Sequence, residues 1–250
     1  MKLLASKLKP IIITIFFIGA VMTGCATQSP FDADSSSRVE QSPQFDGGTF
    51  KNKAKTNPQN LAKIWEVTKD LLFNKDSRAF PEIEIPLKTI DSSSLENQQT
   101  DDLKFSRLGH STLLIQLDNK LWLTDPVFSE RVSPVQWAGP KRFHPAPISI
   151  EELPHIEGVI ISHNHYDHLD YDSIKKLKDK VNHFIVPLGV ATSLREWGVS
   201  PEKIIELDWW QKTKIGDVEL VSTPAQHFSG RGLLDRNDTL WSSWVIKSNK

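Results

Sequence analysis

A single cysteine, Cys25, stands in the 250 residues, so no disulfide can form within the chain and a cysteine-rich structural zinc site is excluded. No sign of charge dominates: 30 lysines and arginines face 31 aspartates and glutamates for a net charge of -1, a balance that does not suggest nucleic-acid binding. Long apolar runs are missing too. The one greasy stretch, Ile11 to Val21, is too short to cross a hydrocarbon core about 30 Å thick comfortably. Nothing repeats at a fixed period. What is there is an apolar content of 38%, enough at this length for one sizeable domain with a real core and too much for a disordered chain.

The N-terminus reads as an export signal. Lys2, Lys7 and Lys9 precede the apolar run, which breaks at Met22-Thr23-Gly24-Cys25. That tetrapeptide resembles a bacterial lipobox, in which the cysteine is acylated and becomes the new N-terminus, although Met at its first position is less usual than Leu. Residues 1–25 are therefore expected to be a lipoprotein signal peptide with Cys25 as the lipidation site. Ala26 rather than Asp follows, which fits sorting to an outer membrane in a cell that has one. The expected location is the cell envelope, lipid-anchored and periplasm-facing.

Residues 26–57 are rich in Ser, Asp, Asn, Gln and Gly and read as a polar tether, part of which can still dock on the body. A helix is predicted over 58–73 from Asn57-Pro58 and the helical spacing of Leu61, Ile64, Trp65, Leu71 and Leu72. Strands follow at Lys104–Leu108, Thr112–Leu117 and Lys120–Thr124, the last two joined by an Asp118-Asn119 hairpin turn. A proline-punctuated loop runs from Asp125 to about His155, long enough to be a functional excursion. Further strands are expected at Gly158–Ser162, His183–Val186, Ile204–Leu207, Val218–Ser222 and Ser243–Lys247, with helices at Ser173–Lys180 and Gly189–Trp197. By pattern alone this is an α/β domain over 58–250.

The chemistry concentrates in Ser162-His163-Asn164-His165-Tyr166-Asp167-His168, directly after an apolar strand. His163 and His165, two apart, project to one side of an extended backbone and can share an ion. Asp167 and His168 leave in another direction, towards a second ion. Zinc accepts imidazole nitrogen and carboxylate oxygen, and a position left to water lowers that water's pKa to about 7. Two such ions about 3.5–4 Å apart form a hydrolytic pair. A solvated polar loop is a poor competing account of so dense a cluster.

His-x-His-x-Asp-His resembles the signature of the metallo-β-lactamase superfamily. Its surroundings are similar to the branch of phospholipase D enzymes that hydrolyse N-acylphosphatidylethanolamine: Leu121 to Pro126, Gly139 to Arg142, Glu152 to His155, Pro224 to His227, Ser229 to Gly232 and Leu240 to Trp244 match in order. The resemblance implies an αββα four-layer sandwich with two zinc ions, one held by His163, His165 and His227 and the other by Asp167 and His168. His227 has a separate argument, since it follows the Val218–Ser222 strand where a third ligand could return. The resemblance also implies a bridging Asp after the third His and a further His, and neither is found downstream; Asp235 and Asp238 are too close to His227. The domain is therefore expected to be incomplete at its C-terminus. The activity implied is hydrolysis of a phosphodiester in a phospholipid-like substrate, with hydrolysis of lactones or β-lactams, or a non-catalytic envelope lipoprotein, as alternatives.

Asp167 and Asp125 are the candidate catalytic acids. Asp125, in a Thr-Asp-Pro turn, either caps that turn or orients a ligand imidazole. Tyr166 resembles a substrate-contacting position, with helix-entry packing as the bland account. His110 reads equally as near the site or as a core histidine. Arg131, Lys141, Arg142 and His144 beside Phe128, Trp137 and Phe143 would suit an anionic headgroup or simply a solvated loop. Trp209, Trp210, Trp241 and Trp244 read as core more than as an acyl groove.

Overall fold

The computed structural model describes residues 33–55, 66, 69, 81–96 and 103–248. The signal segment and lipobox lie outside the described residues. So does nearly all of the helix expected at 58–73, of which Glu66 and Lys69 are described, both helical and exposed.

Strands β1 (Lys104–Gly109), β2 (Thr112–Leu117) and β3 (Lys120–Thr124) form an antiparallel meander, turned at Asp118 (φ 58°) and Asn119 (φ 57°), the left-handed pair a tight hairpin needs. From β3 the sheet continues in parallel through β4 (Ile156–Ile160), β5 (Val181–Pro187) and β6 (Ile204–Leu207) in the order β1-β2-β3-β4-β5-β6. Helix α3 (Tyr171–Leu177) connects β4 to β5 and α4 (Val190–Glu196) connects β5 to β6, the crossovers that parallel strands require. Two earlier helices are short, α1 (Ala33–Glu40) and α2 (Ser92–Glu96). A second sheet, β7 (Lys212–Ile215), β8 (Val218–Thr223) and β9 (Ser243–Lys247), is antiparallel.

Alternation along the strands decides the layers. Leu121, Leu123, Val159, Phe184 and Val186 point to one face and pack with Ile174, Leu177, Val190 and Leu194 of the helices. Ile115, Trp122, Ile160 and Ile185 point to the other and pack with Ile215, Val218 and Leu220 of the second sheet. Central strands buried on both sides read as continuous apolar runs, which is why they were visible in the sequence. The result is the expected helix, sheet, sheet order; the described residues supply no helical layer on the far side of the second sheet.

One correction follows. Strand β7 was missed because three of its four residues, Lys212, Thr213 and Lys214, are polar and only Ile215 is buried; its pairing to β8 comes from the turn at Gly216 (φ 59°). The segment 26–57 docks on the body over its described part, the possibility its sequence left open. Val39 and Phe50 are fully buried against Leu188, Trp209, Leu240 and Trp241, and Arg38 donates to the Glu206 backbone carbonyl at 2.6 Å. Glu206 itself is buried and accepts from Gly189 N–H at 2.7 Å, so one carboxylate ties α1 to the start of α4. Two apolar residues among many polar ones carry no periodic signal, yet they suffice to dock the segment.

Candidate metal centre

The site lies where β1, β3 and β4 end on one edge of the large sheet and β8 ends on the small one, the end of an α/β sheet where loops can converge on a ligand. His110 follows β1, Asp125 follows β3, His163 to His168 follow β4 and His227 follows β8. Two of these residues hold positive φ, His110 at 43° and Asp125 at 38°. Such backbone costs about 1–3 kcal/mol at a non-glycine residue and persists only where surroundings enforce it. At Asp125 the enforcement is visible: its N–H donates to Ile160 O at 2.9 Å and its carbonyl accepts from the Thr112 hydroxyl at 2.8 Å.

Two groups of donors result. His163 Nε2 lies 2.9 Å from His165 Nδ1 and 3.1 Å from His227 Nε2. His110 Nε2 lies 3.0 Å from Asp167 Oδ2, and His168 Nε2 is 3.5 Å from the same oxygen. In each group the ligand atoms all fall within 4.8 Å of one another.

Asp125 stands behind both groups rather than in either. Its Oδ2 is 2.7 Å from His168 Nδ1 and accepts the Ser162 hydroxyl at 2.7 Å, while its Oδ1 accepts the Ser162 N–H at 2.7 Å. With its own proton committed to Asp125, Ser162 Oγ can only accept from His163 Nδ1, 2.8 Å away, which turns the Nε2 lone pair of His163 into the cluster. One buried carboxylate thus faces two imidazoles, His168 directly and His163 through Ser162.

Protonation follows from this layout. Burial, reinforced by the neighbouring His168, His165 and His227, holds His163 down at about 2, and burial likewise lowers His165 and His227. Three neutral imidazoles therefore converge lone pairs on one point at neutral pH, a donor set that repels protons and fits a divalent cation. His168 goes the other way: burial opposes its charged form, but hydrogen bonds to Asp125 and Asp167 outweigh burial and raise it to about 9. Its hydrogen bond also pushes Asp167 far below the usual carboxylate range. The second group, one carboxylate and two imidazoles, would take a cation with release of the His168 proton.

His110 is the residue that sequence reasoning left undecided. Its signal was the Gly109-His110 pair after a strand: Gly109 has φ 144°, and a Cβ there would meet Arg142 Nη2 at 2.7 Å. Arg231 holds the ligand loop from the far side, donating to Asn164 O at 2.8 Å and Leu169 O at 2.7 Å, with its guanidinium 3.9 Å from the Tyr166 ring centroid. Tyr166 is thus packed beneath Arg231. The loop cations are spent locally: Arg142 donates to His144 O, Phe128 O and Leu108 O, Lys141 pairs with Glu130, and Arg131 donates to Gly139 O. Trp209 and Trp241 are core, while Trp210 is 60% exposed.

The model of the beta-lactamase superfamily domain matches residues 122–250, just over half of the chain and all of the ligand motif. The chain belongs to the beta-lactamase superfamily. Its superfamily relatives include an uncharacterized protein of Mycobacterium tuberculosis, 41% identical over 214 residues, covering 83% of this chain and 55% of that protein. An N-acyl-phosphatidylethanolamine-hydrolyzing phospholipase D of Caenorhabditis elegans is 37% identical over 149 residues, covering 56% of this chain and 42% of the worm protein. Among solved structures, a metallo hydrolase from Ignicoccus hospitalis aligns with a TM-score of 0.43 and 18% identity over 59% of this chain and 56% of that one. The chain spans about half the length of the curated relatives it matches.

Proposed function

We propose that the protein is a zinc-dependent phosphodiesterase that hydrolyses an N-acylphosphatidylethanolamine-like phospholipid, releasing phosphatidic acid and the N-acylated ethanolamine. The observation that carries the hydrolase reading is the convergence of His163, His165 and His227 as neutral donors beside the His110, Asp167 and His168 group. The lipid class is supported by the names of the worm relative and of a yeast relative, 36% identical over 129 residues.

Ions held by the two groups would supply a water acidified towards neutral pH and positive charge against the phosphoryl oxygens. The residues of the chain do the remaining work. Asp125 fixes the tautomers of His163 and His168, and Arg231 fixes the loop that carries four of the ligands. His110, 57% exposed at its side chain and 3.0 Å from Asp167, stands at the mouth of the second group, and the departing alkoxide would take its proton from water. Tyr166, stacked under Arg231, would meet the substrate only along the part of its ring left half-exposed. The protein would sit in the cell envelope, anchored through acylated Cys25; among the described residues no helix is long and apolar enough to cross a membrane.

The test is turnover of the full chain on N-acylphosphatidylethanolamine vesicles, a lactone and a β-lactam, with zinc counted by elemental mass spectrometry. Phosphodiester cleavage is expected, falling at least 100-fold in His163→Ala and Asp167→Ala with unchanged folding. Cleavage of only the lactone or β-lactam would overturn the lipid reading. Full turnover in either variant would overturn the site.

A further inference from the structure

Asn52 belongs to the segment that reads as a tether and lies well before the matched domain at 122–250. Its side-chain amide nevertheless closes a two-point clamp on the backbone of a metal-competent histidine. Asn52 Nδ2 donates to His227 O at 2.7 Å, and Asn52 Oδ1 accepts from His227 N–H at 3.0 Å. The fork is matched to one residue, because a peptide unit offers one donor and one acceptor and the carboxamide answers both.

The clamp is itself held. Phe50, two residues earlier, is fully buried with Trp209, Leu240 and Trp241, and its N–H donates to Asn237 O at 2.8 Å. The chain from His227 to Asn237 is therefore gripped at both ends by the same stretch. His227 needs such help more than His163 or His165. Those two share the loop that Arg231 braces at Asn164 O and Leu169 O, whereas His227 has both its backbone N–H and its C=O held by Asn52.

We propose that Asn52 is a positioning residue that sets His227 in the metal centre, so that the N-terminal segment is a working part of the site. The proposal rests on His227 being a ligand. Outer partners of ligands are worth about 10–100-fold in metal affinity, and Asn52→Ala is expected to weaken cobalt binding by the full chain within that range, read by competition with a chromophoric chelator. Asn52→Asp, which keeps the acceptor and loses the donor, is expected to fall between. Lys51→Ala, whose side chain pairs with Asp46 at 3.0 Å, should leave affinity unchanged.

A metal-independent readout accompanies this: amide exchange at His227 should be slow in the wild type and at least tenfold faster in Asn52→Ala, with the melting transition of both variants retained. Unchanged affinity in Asn52→Ala overturns the proposal, and so does unchanged exchange. A wild-type chain that retains no cobalt overturns the ligand reading and this proposal with it, and is told apart because the exchange difference then survives alone.

Discussion

Residue by residue, the site works through one carboxylate that touches no substrate position. Asp125 holds its backbone at φ 38° in order to face Ser162 and His168 together. The consequence is a histidine whose pKa in the metal-free chain is raised from 6.5 to about 9. A folded state that binds the proton more tightly gains stability that is complete below about pH 6.5 and lost as the pH rises through about 9. The melting temperature of the chelator-stripped chain should therefore fall between neutral pH and about 9.5, and Asp125→Asn should flatten that slope. A profile in Asp125→Asn as steep as the wild type would sink the assignment. Much of this centre was legible in the sequence, because ligand spacing after an apolar strand is a local property: His163, His165, Asp167 and His168 needed no tertiary information to be singled out. His110 and Asn52 did need it. A lone histidine after a glycine and a lone asparagine in a polar stretch look like any others until the chain brings them to a site 57 and 175 residues away.

At the scale of elements, the close approach of β3 and β4 is the most exposed to mutation. Gly158 pairs with Trp122 across the parallel ladder, and a Cβ on it would lie 2.5 Å from Trp122 Cζ3 and 3.1 Å from Ile185 Cδ1. Both obstacles are buried and rigid. Gly158→Ala should therefore destabilise by about 1–3 kcal/mol through overpacking, even though alanine suits a strand no worse than glycine. Denaturant unfolding measures it, and a variant as stable as the parent would mean the sheet yields. The strands themselves were readable with near-final bounds at β2, β3, β6 and β9, because apolar runs and an Asp-Asn turn are strong short-range signals. Strand β4 begins two residues earlier than its apolar pattern suggests, since its limit is set by pairing of Ile156 to Val181. Strand β7 was invisible because its partner, rather than its composition, makes it a strand.

At the scale of the molecule, the proposed anchor at Cys25 lies shortly before the segment that docks on the body. Ser35, ten positions after Cys25, donates its hydroxyl to Glu206 at 3.3 Å. Cys25→Ser should move the protein from the membrane fraction to the soluble one and remove its labelling by a fatty-acid analogue; a variant still labelled would refute the anchor. The sequence by itself determined an α/β class, since apolar strand runs alternate with helical spacing, and it singled out the cluster of metal-competent side chains from His163 to His168. Tertiary structure alone decided that His110 stands beside Asp167 and that Asn52 holds the His227 backbone, and it decided between the two roles open to Asp125 by facing it to His168. The physical reason is that spacing along a chain encodes only contacts within one element, while contacts between elements depend on where packing brings their ends.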